Sequence, residues 1–371
     1  MRLLLCGGGT AGHVNPAIAI AEELTRQDPQ SKILFIGRKG GRENELIAKA
    51  GFEVKTIDIQ GLIRSISAEN IKRIKKAFSA ITEAEKIIKS FCPDVILGTG
   101  GYVCWPVITA GHRLGIPTAI HESNISPGLT TRLLAKKCNT IFINHKQTEK
   151  YFREKRKVKT VGNPLRADFF SKTTRSEARK KLNLTDKDFL IISFGGSIGA
   201  DKLNEVVIDV MEKYSSKEED IKHIHATGKR YFDKIKTRSK QYSNCTILPF
   251  IENMPMLLKA SDAVICRCGA ITLSEVAESG AASILIPSPN VSGNHQYKNA
   301  KHLESIDAAT LIEEKNLTSD LLINTLIWLK NDKNGRKKRA KNIKAISTPH
   351  SAKLIVTQLF SLKNHTKKAI C

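Results

Sequence analysis

Two short glycine clusters carry the chemistry open to this chain. Gly7-Gly8-Gly9-Thr10-Ala11-Gly12 follows the apolar run Leu3-Leu4-Leu5-Cys6 and opens an apolar-periodic stretch from Val14 to Leu24. Gly195-Gly196-Ser197-Ile198-Gly199 follows Leu190-Ile191-Ile192-Ser193-Phe194 and opens a second such stretch, about Leu203 to Met211. A buried strand that runs through glycines into a helix start presents backbone N–H groups and a positive dipole end to an anion. Met twice, nearly half a chain apart, the arrangement predicts two tandem α/β domains of similar build. A substrate in the cleft between them would meet both loops, which suits a nucleotide-activated donor facing an acceptor.

Positioning such loops requires parallel sheets covered on both faces, and strand-like and helix-like segments alternate accordingly. Strands are expected at Leu3–Cys6, Ile33–Ile36, Val54–Ile57, Val95–Leu97, Thr118–Ile120 and Thr140–Ile143. A second series is expected at Phe189–Phe194, His223–Ala226, Thr246–Leu248, Ala263–Cys266, Ser283–Ile286 and Ala309–Ile312. Val161-Gly162-Asn163-Pro164-Leu165 has the punctuation of a domain boundary, and the basic run 336–341 precedes an amphipathic segment, Ala352 to Leu362.

Bulk properties agree. A chain of 371 residues is long enough for two full cores. Its 8 cysteines lack C-x-x-C spacing, and Met1-Arg2 leads at once into a strand rather than a secretory apolar region, which together predict a reducing cytosol. No run reaches the roughly 18 apolar residues of a membrane span. A net charge of +24 implies an anionic partner: nucleic acid, a phosphorylated ligand or a membrane face. Scattered lysines also reflect general lysine usage.

The ordered blocks Gly7 through Pro16, Gly100-Gly101-Tyr102-Val103, His121-Glu122-Ser123-Asn124, Gly162-Asn163-Pro164-Leu165-Arg166, Gly195 through Ala200 and Arg267 through Glu275, the last continuing to Gln296-Tyr297-Lys298-Asn299-Ala300, resemble the MurG family of bacterial glycosyltransferases. The resemblance covers nearly the whole chain. It implies a GT-B fold, two Rossmann-like domains with parallel sheets facing across a cleft. The domains would be 1–162, facing acceptor and membrane, and 163–345, binding the UDP-sugar, with 346–371 returning as a helix to the first. It also implies inverting transfer of N-acetylglucosamine from UDP-GlcNAc to the MurNAc 4-hydroxyl of lipid I. The product, lipid II, feeds peptidoglycan synthesis and hence cell wall, cell shape and division. The protein would sit peripherally on the cytoplasmic face of the cell membrane, alongside other cell-wall synthesis proteins. Three positions depart from the family pattern: Ser123 where Gln is usual, Trp105 where a small residue is usual, and cysteines flanking Arg267. Trp105 is expected to reshape the acceptor side of the cleft.

An inverting transfer needs a base, charge stabilisation for the departing diphosphate, and handles on sugar and nucleoside. The resemblance assigns Ser197 and its neighbouring N–H groups to the diphosphate, with Thr10, Ala11 and Gly12 closing on the same group. Arg166 and Arg267 are expected at phosphates or uracil. Glu275 lies one turn into a helix beginning near Ala270 or Ile271 and is expected to hold the ribose diol, within the donor block Ala270, Ile271, Thr272, Leu273 and Ser274. A Glu there for structural reasons alone would add about 0.3–1 kcal/mol through the helix dipole. Ile251 is expected on uracil, Asn124 and Gln296 on sugar hydroxyls, and Tyr102 in the acceptor pocket. His13 and Glu122 are the two base candidates, with His13 ahead; Glu122 could instead orient His121.

Two other motifs lead elsewhere and are rejected. Asp186-Lys187-Asp188 has the spacing of metal-dependent glycosyltransferases but precedes a strand, so it reads as a charged turn, and no fixed metal or other cofactor is expected. The G-x-G-x-x-G-like opening suggests a dehydrogenase, yet the next strand ends Gly37-Arg38-Lys39-Gly40 rather than in a ribose-binding acid. Ile71, Ile74, Phe78 and Ile81 recur at helical spacing among Lys72, Arg73, Lys75 and Lys76, and Ile63, Arg64 and Ile66 extend the run. A core stripe would have this spacing too, but the basic rim points to a lipid interface. Two other classes remain: a different glycolipid glycosyltransferase of the same fold, and a non-enzymatic binder of nucleic acid or anionic lipid. The nucleic-acid reading rests on charge alone, because aromatics are only 6% and are not interleaved with basic residues.

Overall fold

The computed structural model describes residues 1–63, 67–196 and 199–365, so Ser197, Arg64 and Ile66 lie outside the described residues. The chain forms two compact units, Met1–Arg166 with Thr348–Cys371, and Ala167–Ser347. In unit 1 the order is β1 (Arg2–Cys6), α1 (Ala11–Gln27), β2 (Lys32–Arg38), α2 (Glu43–Lys49), β3 (Glu53–Ile57), α3 (Ala68–Phe91), β4 (Val95–Gly98), α4 (Cys104–Arg113), β5 (Thr118–Glu122), α5 (Leu129–Leu134), β6 (Thr140–Ile143) and β7 (Val158–Thr160). Unit 2 follows with α6 (Arg175–Lys181), β8 (Phe189–Phe194), α7 (Asp201–Lys213), β9 (Ile221–Ala226), α8 (Phe232–Arg238), β10 (Cys245–Leu248), α9 (Met254–Ala260), β11 (Ala263–Cys266), α10 (Ala270–Ser279), β12 (Ala282–Leu285), α11 (His295–Ser305), β13 (Thr310–Leu311), α12 (Ser319–Asn331) and α13 (Lys333–Ala345). The last helix, α14 (Ser351–His365), belongs to unit 1.

Both sheets are parallel throughout. Unit 1 has seven strands in the order β3-β2-β1-β4-β5-β6-β7, and unit 2 has six in the order β10-β9-β8-β11-β12-β13. Side chains alternate across the sheet, so Leu3 and Leu5 pack with α1 and α14 while Leu4 and Cys6 pack with α3 and α4. Ile355, Val356 and Leu359 carry α14 into the first of these layers. In unit 2, Phe189 and Ile191 pack with Leu203 and Val207 of α7 and Leu322 and Leu326 of α12.

The structure corrects the sequence reading at three places. The chain leaves unit 1 after Arg166 rather than at the Gly162-Asn163 punctuation, because Asn163 and Leu165 are buried and Asn163 Nδ2 donates to Ser123 O at 3.4 Å. β7, three residues at the sheet edge, was not expected. On α3, Ile71, Ile74 and Phe78 are 60%, 45% and 57% exposed, but Ile81 is 1% exposed and packs in the core with Ala84 and Ile88. The exposed part of the stripe therefore ends at Phe78. Replacing buried Ile81 with Ala should lower unfolding stability by about 2–5 kcal/mol, and Phe78→Ala by about 1 kcal/mol or less. Urea unfolding distinguishes them, and equal losses would contradict this division of the helix.

Candidate active site

In each sheet the strand order reverses direction at one point, between β1 and β4 and between β8 and β11. Crevices outside the carboxyl ends of such strand pairs are where open α/β sheets bind ligands. Both glycine clusters fall there.

In unit 1, the loops after β1 and β4 are joined by Gly8 N–H donating to Gly100 O at 3.3 Å. Gly101 has φ +84, and a Cβ there would lie 2.1 Å from Gly8 O, so only glycine permits this approach. The His13 ring rests on the same loop: a Cβ at Gly100 would come within 2.7 Å of His13 Cδ2. His13 Nδ1 is 3.0 Å from Gly8 O and 3.3 Å from Thr10 Oγ1. Donation of Nδ1–H to that carbonyl selects the neutral tautomer with its lone pair on Nε2, the form a general base needs. Thr99 Oγ1 donates to His13 O at 2.7 Å and secures the start of the helix. Thr10 is exposed and Gly12 half-buried in the first turn of α1, which Ala11 opens. Tyr102 is half-buried beside Gly9, and burial raises its hydroxyl pKa.

Both oxygens of Glu122 are held by its own loop. It is 5% exposed, and its Oε1 accepts from Asn124 N and Asn124 Nδ2, both at 3.0 Å. Its Oε2 accepts from Gly128 N at 3.0 Å and Thr131 Oγ1 at 2.7 Å. Four hydrogen bonds make this carboxylate a clasp for the loop into α5, and it holds the Asn124 amide. It does not orient His121. That ring is buried, which lowers its pKa; its Nε2 lies 2.9 Å from Gly162 O, and Ser123 Oγ lies 3.4 Å from its Nδ1. Trp105 meets Phe78 edge to face at 5.5 Å, which joins it to the exposed face of α3. Arg166 is half-buried at the last position before unit 2.

In unit 2, the loop after β8 turns at Gly199, φ +81, where a Cβ would lie 2.2 Å from Thr227 O. The loop after β11 leads into α10, whose first internal bond is Leu273 N to Gly269 O. The N–H groups of Ile271 and Thr272 precede it in the first turn, where main-chain donors point out of the helix. Ala270, Ile271 and Leu273 are buried, so any ligand contact from them is through main chain. Thr272, Ser274 and Glu275 are half-buried, and Ser274 Oγ donates to Ala270 O at 3.1 Å. Gln296 Oε1 accepts from Cys268 N at 3.2 Å and Ser288 N at 2.9 Å. Arg267 is ion-paired with Glu314 and donates to Ile286 O and Pro287 O, both at 3.3 Å, so it braces these loops. Ile251 is 3% exposed.

A buried chain of hydrogen bonds supports these loops, and it was missed in the sequence although His223-x-His225 on an expected strand puts both rings on one face. Ser215 Oγ lies 3.0 Å from His223 Nδ1, and His223 Nε2 lies 2.9 Å from Ser193 Oγ. Ser193 Oγ lies 2.8 Å from His225 Nδ1, and His225 Nε2 lies 3.2 Å from Asn204 Oδ1. Asn204 Nδ2 then donates to Thr227 O at 3.0 Å, the carbonyl against which Gly199 turns. Read in that order, each imidazole accepts at Nδ1 and donates from Nε2, and Ser193 Oγ accepts from one ring and donates to the other, with both histidines neutral. His225 Nδ1 also lies 3.2 Å from Ser193 O.

The N-terminal domain of glycosyltransferase family 28 matches residues 3–143, and its C-terminal domain matches residues 190–355. A UDP-N-acetylglucosamine--N-acetylmuramyl-(pentapeptide) pyrophosphoryl-undecaprenol N-acetylglucosamine transferase of Acetivibrio thermocellus is 41% identical over 357 residues, 96% of each chain. One of the same name from Alkaliphilus metalliredigens is 40% identical, covering 98% of this chain and 99% of that one. The crystal structure of Acinetobacter baumannii MurG superposes with a TM-score of 0.75 at 28% identity, covering 97% of this chain and 99% of that one.

Burial lowers His223 to about 3 and His225 to about 4, from an ordinary value near 6.5. A depressed histidine pKa means that the unfolded chain binds more protons below pH about 6.5. The contribution of the pair to stability is therefore complete above that value and is lost progressively between about pH 6.5 and pH 4. Denaturant titrations across this range should show stability falling with pH, and a His223→Asn/His225→Asn double variant should lose most of that slope. An unchanged slope in the double variant would contradict the neutral relay.

Proposed function

The chain belongs to glycosyltransferase family 28 and, within it, to the MurG family, and from that premise we propose that it transfers N-acetylglucosamine from UDP-GlcNAc to the MurNAc 4-hydroxyl of lipid I, forming lipid II for peptidoglycan. The observation that carries this reading is roughly 40% identity over nearly the full length of relatives bearing that transferase name.

The chemistry follows from the residues of each unit. His13 Nε2 takes the proton of the acceptor hydroxyl, whose oxygen attacks the anomeric carbon as the bond from that carbon to the diphosphate breaks. The carbon is inverted and UDP departs. The N–H groups opening α10, with the loop after β8 and Ser197, receive the diphosphate charge. Thr10, Ala11 and Gly12 present their own helix start to the same reaction. The Glu275 carboxylate accepts from the ribose diol, and Gln296, with Oε1 held by backbone, offers Nε2 to the sugar, as does Asn124. Arg166 supplies positive charge, and Tyr102 lines the acceptor side. Asp186-Lys187-Asp188 has no part in this reading: Asp188 Oδ2 accepts from Thr185 N at 2.6 Å and Thr185 Oγ1 at 2.7 Å, in a turn at the opposite end of β8 from the glycine loop.

A lipid-linked acceptor requires a membrane-facing surface. Among the described residues, no helix is long and apolar enough to cross a membrane. Leu62, Ile63, Ile71, Ile74 and Phe78 are exposed together, and reciprocal bonds of 2.9 Å between the Asn70 amide and the Ile63 backbone hold the loop against α3. Lys72 and Lys75 are exposed beside them, whereas Arg73 pairs with Glu69 at 3.3 Å and Lys76 with Asp58 at 2.8 Å. This face is proposed to dock peripherally on anionic cytoplasmic membrane.

Two experiments test the proposal. Assayed with UDP-GlcNAc and lipid I, the protein should release UDP and form lipid II without added metal, and His13→Ala should lower kcat by about 10²–10⁴-fold. The rise in Tm produced by UDP should persist in that variant; full turnover in His13→Ala would remove the base. Second, the protein should sediment with phosphatidylglycerol vesicles, less so at high salt. An Ile74→Ser/Phe78→Ser variant should lose vesicle binding with little change in unfolding midpoint, and retained binding would show that this face does not meet lipid.

A further inference from the structure

The turn between β2 and α2 holds polar atoms that the mechanism above does not use. Arg38 Nε, Glu43 Oε1 and Asn44 Oδ1 are buried and have no hydrogen-bond partner among the described residues. Buried polar atoms are paired in most native structures, so such a cluster calls for an explanation. Asn44 is at least anchored locally, its Nδ2 donating to Arg38 O at 2.9 Å while Oδ1 stays unpaired. Glu43 has no such anchor among the described residues, although it is 6% exposed.

Its position is specific. The carboxylate is wedged between two glycines: a Cβ at Gly8 would lie 2.7 Å from Oε1, and one at Gly41 would lie 2.5 Å from both oxygens. Gly8 belongs to the loop that holds His13. Its neighbour Gly9 abuts the Tyr102 ring, which also packs against Gly61, and Arg73 donates to Gly61 O at 2.5 Å. Arg38, Glu43 and Arg73 all act electrostatically on the Tyr102 hydroxyl. A carboxyl group with no donor among the described residues thus lies beneath the loops at the ends of β1, β2 and β4, beside the proposed base and acceptor-side tyrosine. A carboxylate oxygen can only accept, so its complement is a ligand hydroxyl or amide N–H.

Resting on the reading of lipid I as acceptor, we infer that Glu43 is a further acceptor-recognition residue, whose carboxylate receives a hydrogen bond from a hydroxyl or amide N–H of the acceptor sugar next to Tyr102. It orients the sugar for His13 and takes no part in proton transfer.

The test is steady-state kinetics with lipid I carrying a shortened prenyl chain as the varied substrate. Glu43→Gln keeps the shape and removes the charge. It should raise the acceptor KM by about tenfold or more, the scale of a hydrogen bond to a charged group. The KM for UDP-GlcNAc and the Tm shift it produces should stay within about twofold of wild type. Gly41→Ala displaces the carboxylate from outside and should raise the acceptor KM in the same direction. An unchanged acceptor KM in either folded variant, or an equal rise in both KM values, overturns the inference. So does failure of both variants to fold, which would make Glu43 structural. Absence of transfer by the wild-type protein would instead refute the proposed reaction.

Discussion

Backbone meets backbone where β1 and β4 part, and the rest of unit 1 is arranged around that approach. Gly8 and Gly100 share a hydrogen bond, and Gly101 passes so near Gly8 O that a single methyl group would force the loops apart. With the loops closed, the Gly8 carbonyl meets the imidazole of His13 and dictates which nitrogen carries its proton. Widening the approach would cost both the crevice and the tautomer. Unit 2 repeats the device, with Gly199 turning against Thr227 O.

Polar side chains near the two crevices divide by how fully the protein itself satisfies them. Glu122 holds four hydrogen bonds and Arg267 an ion pair with two carbonyls, so each is a brace. The Ser215–His223–Ser193–His225–Asn204 chain is bonded from end to end and stiffens the floor beneath the loop after β8. Such networks are rigid because each unpaired member would be costly. Glu43, with a buried oxygen that no group among the described residues answers, is the contrasting case.

Much of this was legible in the sequence. Strands buried on both faces read as continuous apolar runs, as at Leu3–Cys6 and Ala263–Cys266, and the glycine clusters mark where ligands bind. Val158-Lys159-Thr160 escaped notice because a short edge strand lacks such a run. Helical periodicity identifies an arc of α3 but not the point at which α3 meets its neighbours, so Ile81 read like Phe78 although burial begins at Ala80. Residue type placed Glu122 and Arg267 at the right strand ends. Their partners, Thr131 and Gly128 for one and Glu314 for the other, come from loops whose approach only the fold determines.

The start of α10 and the loop after β8 are the proposed cradle for the donor diphosphate. Hydrogen exchange of the full chain with and without UDP tests this: exchange should slow at Ile271 and Thr272, in the first turn of α10, and at Gly195 to Ala200. Protection confined to other segments, with these amides unchanged at saturating UDP, would contradict it.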